Sequence, residues 1–203
     1  MDIYIYIPFY SGEYMAQDVT LFKNSESLFF KVINKKEEVI DFDCEGFLID
    51  ADERECRRTI EFIKAKNKQI KIAVLGRDDE FNRRALETLK INYLFSPELT
   101  GQKDTLKQRA SGLNHITTKI AKEKNIEIVV ALNFINSQTD KKSKARLISR
   151  IIQNIKICRK AKCEIKFATL AKSVEELMDE KQIAAIGFSL GMSSQQVKTC
   201  FQF

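Results

Sequence analysis

Histidine is nearly missing from this chain, and its scarcity excludes whole classes of enzyme. The 203 residues include one histidine, His115, and no His-x-His pair. A metal-dependent phosphoesterase needs several imidazole and carboxylate ligands around an open site, so this chain would have to build one from carboxylates alone. No Gly-x-Ser-x-Gly turn occurs either, and His115 would be the only imidazole base. The sequence therefore argues against both a metal hydrolase and a nucleophilic triad.

Paired cysteines, long apolar runs and prolines are also scarce. The five cysteines are scattered, odd in number and without a C-x-x-C pair, which predicts free thiols in a reducing cytoplasm. No apolar run approaches the length of a membrane span, and the N-terminus lacks the basic start of a signal peptide. With two prolines and no convincing linker, residues 1–203 are predicted to form a single domain with no membrane partner.

Charge is abundant and unevenly distributed along the chain. Residues 1–55 hold 5 basic and 13 acidic side chains, a net charge of −8, whereas residues 56–203 hold 29 basic and 15 acidic side chains, a net charge of +14. This asymmetry suggests a polyanionic partner for the basic body, although an ordinary solvated surface explains the composition equally well. We expect the acidic end to face protein or solvent and the basic body to face the polyanion.

Apolar runs alternate with amphipathic stretches from residue 28 onward. No clear period covers residues 10–27, and a short strand at 39–42 is a weaker prediction. The last part of the chain reads as helical, with breaks at Gly187 and Gly191 and a cap at Ser193. The predicted strands are 3–7, 28–33, 46–49, 70–75, 92–95, 126–132 and a run around 164–168. The predicted helices are about 52–67, 78–90, one starting near Ser111 and 142–161.

Short strand–helix–strand connections favour parallel pairing with right-handed crossovers. Because no dinucleotide-binding glycine fingerprint appears, a closed barrel is favoured over an open sheet. The predicted fold class is a single TIM-barrel-like α/β barrel.

The helix at 142–161 carries the densest positive charge in the sequence. Its pattern places Ile148, Ile151, Ile152 and Ile155 on one face and basic residues, including Arg150, on the other. Ten lysines and arginines lie between 141 and 166, and only Glu164 offsets them. Unpaired positive charge of this kind suits phosphate contacts. Aromatic residues are absent nearby apart from Phe134, which argues against sequence-specific reading of single strands.

Charged residues also interrupt the predicted strands. Lys71, Glu127, Glu164 and Lys166 share the period of the inward-facing residues, so at least one ion pair is expected inside the barrel. A Schiff-base lyase that uses Lys71 or Lys166 as its nucleophile is the alternative enzyme. Both lysines come early or midway in their strands, whereas barrel active sites lie at the C-terminal ends, which favours a structural role.

Two segments resemble one known family. The motifs are IKIAVLGRDDEFNRRALETLKINYLFSPE at 70–98, Lys-Asp at 103–104, Ser-Gly-Leu-Asn-His at 111–115 leading to the strand at 125–128, the basic helix, and Ala-Lys-Ser at 171–173. In this order, and over roughly residues 46–192, they are similar to archaeal ribonuclease P protein component 3. The chain departs from the family pattern at Thr169-Leu170-Ala171, where Ser-Gly-Ala is common, and near Tyr93, where an Asp is common. Residues 1–45 match poorly.

The resemblance implies a metal-free barrel related to the PHP phosphoesterases, without independent catalysis or a cofactor of its own. It implies a subunit of the ribonucleoprotein that removes 5′ leaders from precursor tRNA, with Mg²⁺ expected on the partner RNA. The implied partners are ribonuclease P RNA, precursor tRNA and other subunits, among them a small α/β protein. The alternatives are the Schiff-base lyase and a PHP-type metal phosphoesterase. The candidate RNA-contacting residues are Lys141, Lys142, Lys144, Arg146, Arg150, Lys160, Arg83, Arg84, Lys103 and Arg109.

Overall fold

The structure, a computed structural model, describes residues 18–25, 27–104 and 109–203. Within them, seven parallel strands follow one another around the sheet in sequence order. The strands are β1 (Asp18–Thr20), β2 (Ser27–Ile33), β3 (Gly46–Ile49), β4 (Lys71–Leu75), β5 (Tyr93–Phe95), β6 (Glu127–Ala131) and β7 (Ile165–Ala168). The helices are α1 (Glu53–Lys66), α2 (Asp79–Thr88), α3 (His115–Glu123), α4 (Asn133–Ser137), α5 (Lys141–Ala161), α6 (Glu180–Ser189) and α7 (Ser194–Thr199). Short 3-10 turns occupy Lys36–Glu38, Pro97–Leu99 and Val174–Glu176.

The first and last strands of this sheet meet. The backbone N–H of Leu170 donates to the carbonyl of Val19 at 3.0 Å, and that of Leu21 donates to the carbonyl of Ala171 at 2.8 Å. The Asp18 carboxylate accepts hydrogen bonds from both the backbone N–H and the hydroxyl of Thr169. The sheet therefore curls into a nearly closed barrel, which confirms the predicted TIM-like α/β class.

Side chains along each strand alternate between the barrel interior and the surrounding helices, as the two-residue period of a strand requires. The interior is filled by Phe30, Leu48, Ala73, Tyr93, Phe95, Val129 and Ala168. The outer layer, which includes Ile49, Ile72, Leu94, Ile128 and Phe167, packs against the helices. The Phe30 ring lies so close to β3 that a Cβ at Gly46 would sit 2.4 Å from it, so Gly46 makes room for the largest interior side chain on β2.

The helices begin at polar side chains that satisfy their first backbone N–H groups. Asp52 accepts from Glu55 N at 2.9 Å and starts α1, and Asp78 accepts from Phe81 N at 2.8 Å and starts α2. Ser193 caps α7 as predicted. The cap of α3 is Asn114, so the predicted start near Ser111 is wrong: Ser111 is buried and bound to α5 instead.

Several other sequence predictions need correction. The strand predicted at 3–7 lies outside the described residues. Sequence reasoning missed β1 because two of its three residues, Asp18 and Thr20, are polar. Residues 39–42 form no strand, since Ile40 is 90% exposed and has no neighbouring strand to pack on. Gly187 does not break α6, because it lies within that helix, where an added Cβ would be 3.2 Å from the Met192 sulfur.

No helix in the described part of the chain is long and apolar enough to cross a membrane.

Candidate functional site

One ion pair lies at the N-terminal end of the barrel. Lys166 Nζ is 2.8 Å from a Glu127 carboxylate oxygen, and the lysine is only 7% exposed. The same ammonium lies 5.1 Å from the centre of the Phe203 ring. Lys71 and Glu164 are exposed. The prediction of at least one internal ion pair is confirmed, and the pair lies at the opposite end from the one where barrel enzymes carry their active sites.

Arg150 is buried, so its predicted place on the exposed face of α5 is wrong. Its Nε is 3.0 Å from the Asp104 carboxylate, and the guanidinium also donates to the carbonyls of Thr100 at 2.8 Å and Gln102 at 2.6 Å. A third carbonyl, that of Glu98, lies 3.3 Å away. Only 5% of Arg150 is exposed. Arg150 therefore fixes the connection that follows β5 and is not available to RNA.

Asn154, one turn after Arg150, continues this anchoring. Its side-chain amide donates to the carbonyl of Ser111 at 2.9 Å and lies 3.5 Å from a carboxylate oxygen of Glu98. Glu98 is 1% exposed, and burial raises its pKa to about 7, although hydrogen bonds from Ser96 and Asn154 and the charge of Arg150 act in the other direction. A carboxyl group buried on a barrel loop therefore titrates near neutrality.

Asn82 on α2 holds the same connection from its other side. Its amide nitrogen donates to the carbonyls of Arg77 and Gly112, both at 3.1 Å, and its amide oxygen accepts from Arg77 N at 2.8 Å. Gly112 has φ +75°, and an added Cβ would lie 2.0 Å from the carbonyl oxygen of Pro97. Only glycine fits where the two loops approach this closely.

These contacts bring together in space several motifs that are separate in the sequence. The Gly-Arg-Asp-Asp turn, the Asn-Arg-Arg helix start, the Ser-Pro after β5, Asp104 and the Ser-Gly-Leu-Asn segment meet at the C-terminal edge of β4 and β5, against α5. Their polar groups are largely satisfied by one another. The structure thus assigns these motifs a role in shaping the loops of this barrel.

The exposed face of α5 has a different character. It carries six exposed basic residues, which we call the basic stripe: Lys141, Lys142, Arg146, Lys156, Arg159 and Lys160. The helix contains eight basic and no acidic residues. Among the described residues, none of the six lies within ion-pair distance of a carboxylate. Lys156 and Arg159 belong to the stripe although the candidate set from sequence omits them, and Lys144 is half-buried at its edge.

Four of the eight charges lie in the first six residues of α5, where the helix dipole is itself positive. Asp140 caps this end by accepting from Ser143 N at 2.8 Å. The hydrogen bonds with Ser143, and secondarily the charge of Arg146, hold the pKa of Asp140 below its usual range. A single carboxylate offsets the local charge only in part, so this end of α5 favours a bound anion.

The candidates on α2 are largely neutralised. Arg83 Nε lies 2.7 Å from Glu87, and Arg84 pairs with Glu80 and with Glu53 of α1. Arg109 lies 3.4 Å from Asp104. Lys103 is exposed and has no ion-pair partner among the described residues. Among the described residues, the candidates that combine exposure with unpaired charge are therefore Lys103 and, on α5, Lys141, Lys142, Arg146 and Lys160.

The described part of the chain gives little support to a metal site or to catalysis by the histidine. His115 is exposed at the first residue of α3. No group of three or more His, Cys, Asp or Glu side chains within the described ranges could hold a metal ion. An open depression of about 480 Å³ lies at the ends of β3 and β4, where Asp50 and Arg77 form an ion pair at 2.8 Å.

The fold and the site together define a parallel α/β barrel with a helix on its outer surface whose six exposed basic residues have no carboxylate partner in the described part of the chain. A scan against protein-family models and a search of curated proteins found no match. Among solved structures, the chain resembles one in the "cryo-EM structure of archaeal Ribonuclease P with mature tRNA", with 18% identity, a TM-score of 0.68, and coverage of 90% of this chain and 85% of that one.

Two crystal structures share the fold more distantly. One is of an uncharacterized protein, with a TM-score of 0.56, and the other of an amidohydrolase, with a TM-score of 0.57, each at 12% identity over 82% of this chain. This chain spans 43% and 42% of their respective lengths. At these identities the likeness establishes the fold and leaves function to be argued from the site.

Proposed function

We propose that this chain is a non-catalytic protein subunit of a ribonuclease P ribonucleoprotein and that it binds RNA through the basic stripe. The proposal rests on one observation: in the described structure, six exposed basic residues on one helix have no carboxylate partner. Phosphate contacts require such unpaired charge. The likeness to a chain of the archaeal ribonuclease P structure, over 90% of this chain, supplies the class of assembly.

In this proposal the partners are the RNA of the particle, precursor tRNA and other protein subunits, and the particle acts in the cytoplasm. The catalytic Mg²⁺ belongs to the RNA, and this chain supplies charge and shape. Arg150 is not part of the RNA-binding set, because its guanidinium is occupied by Asp104 and by backbone carbonyls. Arg83, Arg84 and Arg109 are weaker candidates than the stripe, because each is paired with a carboxylate.

The alternative enzymes have less support from the arrangement of side chains. Lys166 would be the nucleophile of a Schiff-base lyase, but its ammonium is held by Glu127 and covered by the Phe203 ring. At the C-terminal edge of β4 and β5, the polar groups of Asn82, Arg150 and Asn154 bind loop atoms. These groups therefore stabilise the loops. They do not form the open site with convergent polar groups that a barrel enzyme needs.

The test is assembly of the particle from the full-length chain with its charge reversed at Lys142→Glu and Arg146→Glu. We expect weaker incorporation into the ribonucleoprotein and an unchanged free energy of unfolding, because both side chains are exposed and neither takes part in the core. The matched control is Lys68→Glu with Lys90→Glu, two exposed lysines outside α5 that change the net charge equally. Equal incorporation of both double variants and wild type would contradict the proposal for this helix.

A further inference from the structure

The basic stripe consists of two groups of charges separated by a neutral gap. The first group is Lys141, Lys142 and Arg146, and the second is Lys156, Arg159 and Lys160. At about 1.5 Å of rise per residue, Lys142 and Lys160 are about 27 Å apart along α5. Between Arg146 and Lys156, the same face presents uncharged side chains, the small Ser149 followed by Ile152 and Gln153. A partner must therefore offer phosphates at two separated places and meets only uncharged side chains on this face between them.

The spacing between the two groups is fixed by how α5 is held. Leu147, Ile151 and Ile155 are buried against the barrel. On the neighbouring face, Arg150 and Asn154 bind the connection after β5 through the contacts given above. A 21-residue helix anchored along its length presents its charges as a rigid array. A partner with a regular, equally rigid array of phosphates fits it without the entropy cost of ordering a flexible strand.

Aromatic side chains are missing from α5. Proteins that hold single-stranded RNA combine positive charge with aromatic side chains on which the bases stack. Helix α5 contains no aromatic residue. Phe134 on the preceding helix packs against the core, and Phe167 on the following strand is fully buried. In the described structure, the stripe can therefore bind phosphates but offers unpaired bases no aromatic ring on α5 to stack on.

We infer that the basic stripe binds double-helical RNA, with phosphates contacted by the two groups and a groove of the duplex facing the uncharged side chains between them. The inference rests on the proposed function and names the form of RNA that this site accepts. A-form duplexes are recognised mainly through shape, phosphates and 2′-hydroxyls, and α5 has the charges for the phosphate contacts and a small hydroxyl side chain, Ser149, between them. Recognition through phosphates is independent of base sequence.

The experiment compares the affinity of the full-length chain for two RNAs of equal length. One is a duplex of about 20 base pairs, longer than the roughly 16 that a double-stranded-RNA domain spans, and the other is oligouridine. We expect the duplex to bind at least about tenfold more tightly, with affinity falling steeply as salt increases. Duplexes of different sequence should bind equally well.

Charge reversal separates the two groups. Lys142→Glu with Arg146→Glu, and Lys156→Glu with Lys160→Glu, should each weaken duplex binding and each make the salt dependence shallower by about two contacts. Their effects on log Kd should add when combined, because the groups are well separated. The control Lys68→Glu with Lys90→Glu should leave duplex binding close to that of wild type.

The outcomes distinguish this inference from the proposed function. If oligouridine binds as tightly as the duplex and both stripe variants weaken it, the duplex inference is wrong while the RNA-binding stripe stands. If only one pair affects duplex binding, the two-point contact is wrong. If neither RNA binding nor assembly of the particle depends on the stripe, both proposals fail.

Discussion

Arg146 and Arg150 lie one helical turn apart on α5 and have opposite surroundings. Arg146 is exposed, whereas Arg150 is buried and paired with Asp104. Removing one partner of a buried, hydrogen-bonded pair leaves the other uncompensated. The two side chains therefore test whether a charge on this helix serves folding or binding.

Arg150→Met should lower the free energy of unfolding by about 3 kcal/mol or more, because Asp104 and several backbone carbonyls lose their donor. Arg146→Met should change it by less than about 0.5 kcal/mol, as exposed substitutions usually do. Urea unfolding of both variants measures the difference. Equal stability of the two variants would show that the Arg150 contacts contribute nothing.

Glu98 should make stability depend on pH near neutrality. Its pKa is raised to about 7 in the folded chain, so between the unfolded value near 4.5 and pH 7 the folded state binds more protons than the unfolded state. Stability from this group is therefore full below about pH 4.5 and is lost as pH rises through 7. The shift corresponds to about 3 kcal/mol as an order of magnitude.

The measurement is urea unfolding of wild type and Glu98→Gln between pH 5 and pH 8. The difference in unfolding free energy between the two proteins should change in favour of the variant as pH rises, since glutamine does not titrate. A constant difference across this range would mean that Glu98 ionises normally.

At the scale of single elements, the connection between β5 and α3 depends on close backbone approach. Gly112→Ala should destabilise the chain by at least about 2 kcal/mol, because it adds a Cβ 2.0 Å from a carbonyl oxygen at a positive φ. Gly101→Ala is the control, since an added Cβ there meets nothing within 4 Å. Thermal or urea unfolding compares the two, and similar stability would contradict the described packing.

Most of the strands and helices could be predicted from the sequence, because residues within or next to each element determine it. Strands β4 and β6 are short, mostly apolar runs, and Asp78 and Ser193 are residue types that commonly cap helices. The burial of Arg150 could not be predicted from the sequence. Helical periodicity identifies the face of α5 that packs against the barrel, but it does not identify the side of the helix that a loop covers. That loop is formed by residues about 50 positions earlier in the chain, and the residue pattern of α5 does not indicate its presence.

At the scale of the whole molecule, the barrel separates its charges. Acidic residues between β2 and β3 pair with nearby lysines, as in Lys23 with Asp43 and Lys31 with Asp41. Helix α5 lies between β6 and β7, several strands away around the sheet, and its stripe has no such partners among the described residues. The sequence predicted the imbalance between the two parts, but only the fold shows which of the described charges are paired and which are not.

The most direct test of the account is purification of the tagged full-length chain from its native cell, followed by sequencing of the RNA that accompanies it. We predict one structured RNA, together with other protein subunits, in a particle that removes 5′ leaders from precursor tRNA. The chain purified alone should leave the leader intact. A chain that purifies without RNA, or that cleaves precursor tRNA by itself, would contradict the account.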